Sequence, residues 1–203
     1  MSAPGFLDAL EARLTARPSR PLSLTLPGLG PMRESAVLVP LFEREGVPHL
    51  LFTRRPSHLR HHADQFSFPG GGRDAEDTTP LHTALRETEE ELGIERSRVR
   101  VLGMLDEVPT LVTGFRIQPF VGVIPGDGQY RPNPEEVAFI LEVPLASLLD
   151  PAIRRTEKRQ AQGHEYDVDF YTYNEHVIWG ATARILRNFL RHVAQLPGPG
   201  AAR

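Results

Sequence analysis

Residues 80–92 constrain the fold most, because start, face and end of a helix are all written there. Thr79 offers a side-chain oxygen to the first free amides, and Pro80 suits the first helical position. Gly93 supplies the left-handed residue that ends a helix, with apolar Ile94 behind it. The segments around this helix read as strands. Ala36 to Phe42 is a continuous apolar run, and His49 to Thr53 is its hairpin partner across a Glu45-Gly46 turn. Further strands are expected near Val99–Asp106, Arg116–Ile124 and Tyr166–Tyr173, and a short helix at Pro144–Leu149. A last helix is expected over Glu175–Leu196, with Val177, Ala181, Ile185, Phe189 and His192 or Val193 on one face. Residues 54–79, including Gly70-Gly71-Gly72, read as loop. Strands on both sides of one central helix predict an α+β chain, a mixed α/β/α sandwich, and lack the strand–helix rhythm of a Rossmann fold.

Residues 1–34 read as an N-terminal helix and a Pro-rich linker or arm wrapped on the core. Phe6, Leu7, Leu10 and Leu14 make an apolar stripe on a short helix, and Pro18, Pro21, Pro27 and Pro31 then break regular structure. The main domain is expected over 35–196, and the Gly-, Pro- and Ala-rich tail 197–203 is expected to be disordered. A chain of 203 residues suits one elaborated domain. Its net charge of −3 argues against a nucleic-acid or anionic-membrane partner, and no apolar run is long enough for a membrane span. The absence of cysteine excludes disulfides, thiolate nucleophiles and Cys-ligated metals, and suits the cytoplasm. Monomer and homodimer are both open.

The central helix carries the chemistry. At 100° per residue, with Glu87 at zero, Glu90 falls at about 300° and Glu91 at about 40°. Three carboxylates share one arc, while Ala84, Thr88, Leu81, Leu92 and Leu85 run from about 60° to 160°. The carboxylates should therefore line a cleft edge, with Glu89 pointing to solvent. Clustered carboxylates repel, and a hard cation such as Mg²⁺ or Mn²⁺ removes that penalty. Arg86 can orient them without competing as a ligand. A Glu-rich run is more often a solvated face, but the Gly-rich turn and the acidic Asp74 and Asp77 just upstream favour a site.

Arg86-Glu87-Thr88-Glu89-Glu90-Glu91-Leu92-Gly93-Ile94 resembles the second half of the Nudix box, G-x5-E-x7-R-E-U-x-E-E-x-G-U. Counting back from Arg86 aligns Gly72 with the box glycine and Thr78 with its upstream Glu. Anchoring on Gly70-Gly71 places Asp77 there with one extra residue, and we prefer this register because it keeps an acid. The segment from Leu51 to Gly71 resembles the added signature of the coenzyme A pyrophosphatase Nudix enzymes, matched by Arg54 or Arg55, Arg60, Phe68, Pro69, Gly70 and Gly71. Asp64 stands where that subfamily usually has Gly. Ile178 to Ala183 resembles its C-terminal region.

The resemblance implies a Nudix fold and metal-dependent hydrolysis of CoA or its derivatives to 3′,5′-ADP and 4′-phosphopantetheine. Glu87, Glu90 and Glu91 would bind Mg²⁺ or Mn²⁺, with Arg86 orienting them. Glu90, Glu91 or the loop residue Glu136 would take a proton. Arg54, Arg55 and Arg60 would hold phosphates, and Gly70 and Gly71 would let the loop approach the ligand. The alternatives are a Nudix hydrolase for another diphosphate such as ADP-ribose, which Asp64 favours, and a non-catalytic nucleotide-binding module. Other candidates are weighed lower. Glu135 suits helix capping, His61-His62 is a poor zinc pair, Phe115 fits the core, and Trp179 fits the core or a cleft wall.

Overall fold

The computed structural model describes residues 3–16, 32–57, 64–110, 113–161 and 164–196. The Pro-rich arm, Arg60 with His58, His61 and His62, and the tail 197–203 lie outside them.

The central sheet is built around β1 (Arg33–Arg44) and its hairpin partner β2 (Val47–Arg54). Its order is β3 (Phe66–Ser67), β2, β1, β7 (Phe115–Val123) and β5 (Arg100–Met104). β4 (Gly70–Gly72) pairs with β1, β6 (Val108–Pro109) with β7, and β8 (Phe139–Pro144) with β2. Only β1 and β7 run parallel among the pairings of this sheet, so it is mixed. A smaller antiparallel sheet holds β9 (Arg154–Ala161), β10 (His164–Tyr173) and β11 (His176–Trp179).

The apolar run at 36–42 is explained by burial on both faces. Ala36, Leu38 and Phe42 face Ala84 and Leu92 of α2 (Pro80–Leu92). Val37, Val39 and Leu41 face α1 (Ala3–Ala16) and α4 (Gly180–Val193), through Phe6, Leu10, Leu14, Ile185, Leu186 and Phe189. Helix α3 (Leu145–Leu149) adds Leu145 and Leu148 to that second core. The expected layering is present, with α2 alone on its side among the helices. Phe6, Leu10 and Leu14 of the N-terminal stripe pack into the main core.

Three readings are corrected. The last helix begins at Gly180, and His176–Trp179 is a strand. Val177 fits the helical spacing by coincidence and is exposed. Gly70–Gly72 is a strand, because Ser35, Ala36 and Val37 supply its backbone partners. Strands β8 and β9 were not expected. Trp179 is 43% exposed and stacks on Phe170, so it is not core. Phe115 is half-buried under the Arg33 guanidinium. No helix among the described residues is long and apolar enough to cross a membrane.

Candidate active site

Helix α2 starts and stops where its sequence dictates. Thr79 Oγ1 accepts from the His82 amide at 3.1 Å, and Gly93 adopts φ 67° with its amide donating to Glu89 O at 2.8 Å. The buried face comprises Thr83, Ala84, Thr88, Glu91 and Leu92. This arc is rotated toward the carboxylates relative to the arc expected from leucine positions. Glu91 is therefore inside the protein, Glu87 is half-buried, and Glu90 stands at the open edge.

The rotation is possible because β4 lacks side chains. A Cβ on Gly71 would lie 2.5 Å from the Glu87 carboxylate, and one on Gly70 would lie 2.3 Å from the Ala36 carbonyl oxygen. Gly71→Ala is thus expected to fold with little loss of stability, since the Glu87 tip can swing away. Calorimetric titration with Mn²⁺ should show affinity lowered about tenfold or more; unchanged affinity would detach Glu87 from the cation. Gly70→Ala meets backbone and should fail to fold.

Arg86 is the hub. Its Nε and Nη2 donate to Asp77 Oδ1 and Oδ2 at 3.1 and 2.9 Å, and Nη2 also reaches Gly72 O at 3.2 Å. The same guanidinium lies 2.9 Å from Glu87 Oε1 and 2.8 Å from Glu90 Oε2. Asp77 is buried and also accepts from Thr83 Oγ1 and the Asp74 amide, each at 2.9 Å. Arg86 holds its carboxyl well below the ordinary carboxylate range, against the opposing effect of burial. Asp77 thus serves Arg86, and Thr78, its rival in register, is exposed.

Glu91 shows the opposite balance. Burial, reinforced by the Glu87 charge, pushes its carboxyl up to about 8, although the Gly70 amide donates to it and Arg55 lies near. Its Oε2 is buried without a hydrogen-bond partner. Burial also raises Glu87. Glu136 joins them, close enough for its charge to act on both, and its own Oε2 is likewise buried and unpartnered. The 131–137 loop brings it there by docking on the end of α2. The Arg131 amide donates to Leu92 O at 2.8 Å and the Asn133 amide to Glu91 O at 2.9 Å. Glu135 is exposed, and Asn133 Oδ1 accepts from its amide at 3.1 Å.

Among the described residues, no three carboxylate or imidazole groups are gathered tightly enough to hold a cation as they stand. Arg86 ion-pairs with Glu87 and Glu90 instead. The donor chemistry nevertheless fits a hard divalent ion: oxygen atoms alone, two of them buried without partners.

The two upstream arginines part company. Arg55 is close enough for its charge to act on Glu91, whereas Arg54 lies over the Phe139 ring. Asp64 adopts φ 58°, so the position requires a left-handed turn, and its side chain is exposed.

The NUDIX domain model matches residues 32–164. The chain belongs to the Nudix family. It is similar to Nudix hydrolase NudL, described as uncharacterized, of Enterobacter sp. (strain 638), at 40% identity over 165 residues, covering 81% of this chain and 85% of that one. NudL of Escherichia coli (strain K12) is 39% identical over the same coverage. Among solved structures, a MutT/nudix family protein from Enterococcus faecalis shares the Nudix fold, with a TM-score of 0.50 and 14% identity over 84% of this chain and 66% of the other. This Nudix protein is a hydrolase of nucleoside diphosphate derivatives. The Nudix match spans both the Gly70–Gly72 strand and α2, the two elements that hold the acidic cluster.

Proposed function

We propose that this Nudix hydrolase cleaves the diphosphate linkage of coenzyme A or its derivatives, releasing 3′,5′-ADP and 4′-phosphopantetheine. The observation that carries the reading is that Glu87, Glu91 and Glu136 lie near enough for their charges to act on one another, Glu87 paired with Arg86 and Glu91 and Glu136 each presenting a buried, unpartnered oxygen. Glu87, Glu90 and Glu91 would hold Mg²⁺ or Mn²⁺. When bound, such an ion neutralises diphosphate charge and lowers the pKa of water. Arg86 would stay anchored on Asp77, leaving Glu87 and Glu90 to hold the cation. Glu136, whose buried Oε2 lacks a hydrogen-bond partner, would accept a proton, with Glu90 and Glu91 as the other candidates. Arg55 supplies the positive charge on the diphosphate side. Gly70 and Gly71 keep the strand free of side chains where the carboxylates meet it.

The left-handed turn at Asp64 supports the CoA reading, because it gives the usual glycine a backbone role rather than a phosphate-contact role. The second reading is hydrolysis of another nucleoside diphosphate such as ADP-ribose. It is favoured by Arg54, which faces Phe139 and so leaves one fewer cation for an extra phosphate. A cytoplasmic location fits the cysteine-free composition. Mass spectrometry of products, with CoA and ADP-ribose offered separately alongside Mg²⁺ or Mn²⁺, tests the choice. Phosphopantetheine and 3′,5′-ADP, formed only with the cation, are expected. Cleavage of ADP-ribose alone would discard CoA.

A further inference from the structure

A second feature sits at the same strand end. Phe139 is the first residue of β8, three positions after Glu136, so at ~3.6 Å per residue their Cα atoms lie within about 11 Å. In register it pairs with Arg54 of β2, which pairs on its other side with Phe66 of β3. The three side chains form a row on one face. The Arg54 guanidinium lies 5.4 Å from the Phe139 ring centroid, and its Nε is buried without a hydrogen-bond partner. Phe66 meets the Phe139 ring edge-on at 6.4 Å, and His176 of β11 lies 5.4 Å from it. Boxed in on these sides, Phe139 still keeps 40% of its surface open.

An aromatic ring held flat by neighbours, backed by a guanidinium and open to solvent, suits a π-stacking partner. The residue after β2, Arg55, is close enough for its charge to act on Glu91. A ligand lying across this strand end would meet acidic residues and Arg55 with one part and the Phe139 ring with another. We propose that Phe139 is the stacking platform for the base of the nucleotide substrate, with Arg54 as a positioning residue that holds the ring. The proposal rests on the reading of the substrate as a nucleoside diphosphate derivative. It gives Arg54 a task other than phosphate binding.

The test uses the full chain and two probes, ADP and inorganic pyrophosphate, titrated calorimetrically with Ca²⁺ supplied as the cation. Phe139→Ala should weaken ADP about tenfold or more and leave pyrophosphate within about twofold. Phe139→Trp should retain ADP affinity, because it restores a ring. Unchanged ADP affinity in Phe139→Ala would overturn the platform. So would equal losses for both probes, which a merely structural role produces, or failure of ADP to bind the unmodified protein. If CoA is not hydrolysed while ADP binding still depends on Phe139, the substrate assignment fails and the platform stands.

Discussion

Glu91→Gln is expected to yield a protein that is more stable than the parent and nearly inactive. Burial and then the Glu87 charge push the Glu91 carboxyl up to about 8, from an ordinary value of 4.5. Between those values the unfolded chain has released the proton while the folded chain keeps it. The unfolded state binds fewer protons, so Glu91 makes stability fall as pH rises through that window. Gln is neutral throughout and escapes the penalty. In chelator, the melting temperatures of parent and variant should nearly coincide at pH 4.5. The variant should lead by roughly 10 °C at pH 8. Adding Mn²⁺ should raise the parent's melting temperature and leave the variant's in place. Turnover should drop about a thousandfold or more, since the cation's several kcal/mol of charge stabilisation is lost. Coincident melting curves at every pH would show that Glu91 ionises inside the fold without cost, and the site would need another description.

A large but measurable loss of stability is expected at Arg86. Arg86→Met keeps the length of the side chain but leaves Asp77, whose side chain is 1% exposed, with Thr83, a backbone amide and the His82 ring 3.6 Å away. Breaking a buried ion pair in this way costs about 3–5 kcal/mol, a fall of roughly 6–20 °C for a domain of this size. Arg86→Lys keeps a charge but not the fork that grips both Asp77 oxygens, and should recover only part. Asp77 supplies the check. Because its carboxyl is held low by Arg86, it contributes stability above the ordinary carboxylate range, and that contribution is lost as pH falls below about 4. Asp77→Asn should lower stability at neutral pH and flatten this acid limb. Denaturant titrations across pH 2 to 7 would measure both. A loss under about 1 kcal/mol in Arg86→Met would mean that water enters and replaces the pair.

Much of this architecture could be read from the chain because local signals and tertiary demands agree there. Thr79, Pro80 and Gly93 specify α2 within its own segment, and the Arg-Glu-x-x-Glu-Glu run then fixes which residues share a face. What escaped reading depends on distant partners. Gly70–Gly72 has no pattern of its own and becomes a strand only because β1 lies beside it. Strand β9 is almost wholly polar, and its partner is β10. The spacing of Val177, Ala181 and Ile185 fits a helix, yet Gly180 at φ 68° marks a change of direction between strand and helix. In the site, Glu87, Glu90 and Glu91 were visible, and Glu136 was visible only as an acidic loop residue. That Asp77 belongs to Arg86 was hidden, since nine positions of chain separate two groups 2.9 Å apart. Phe139 carried no local signal, because its neighbours arrive from β2, β3 and β11.

The docking of the 131–137 loop on α2 ties the placement of Glu136 to the end of the helix. Its anchors are the carbonyls of Glu91 and Leu92, which are free to accept only because the helix stops at Gly93. A Cβ at Gly93 would come within 2.8 Å of Arg131, so the same glycine ends the helix and leaves the berth for the loop. The position of Glu136 is thus set by the end of the helix, so a change that unwinds the last turn of α2 displaces Glu91 and Glu136 together.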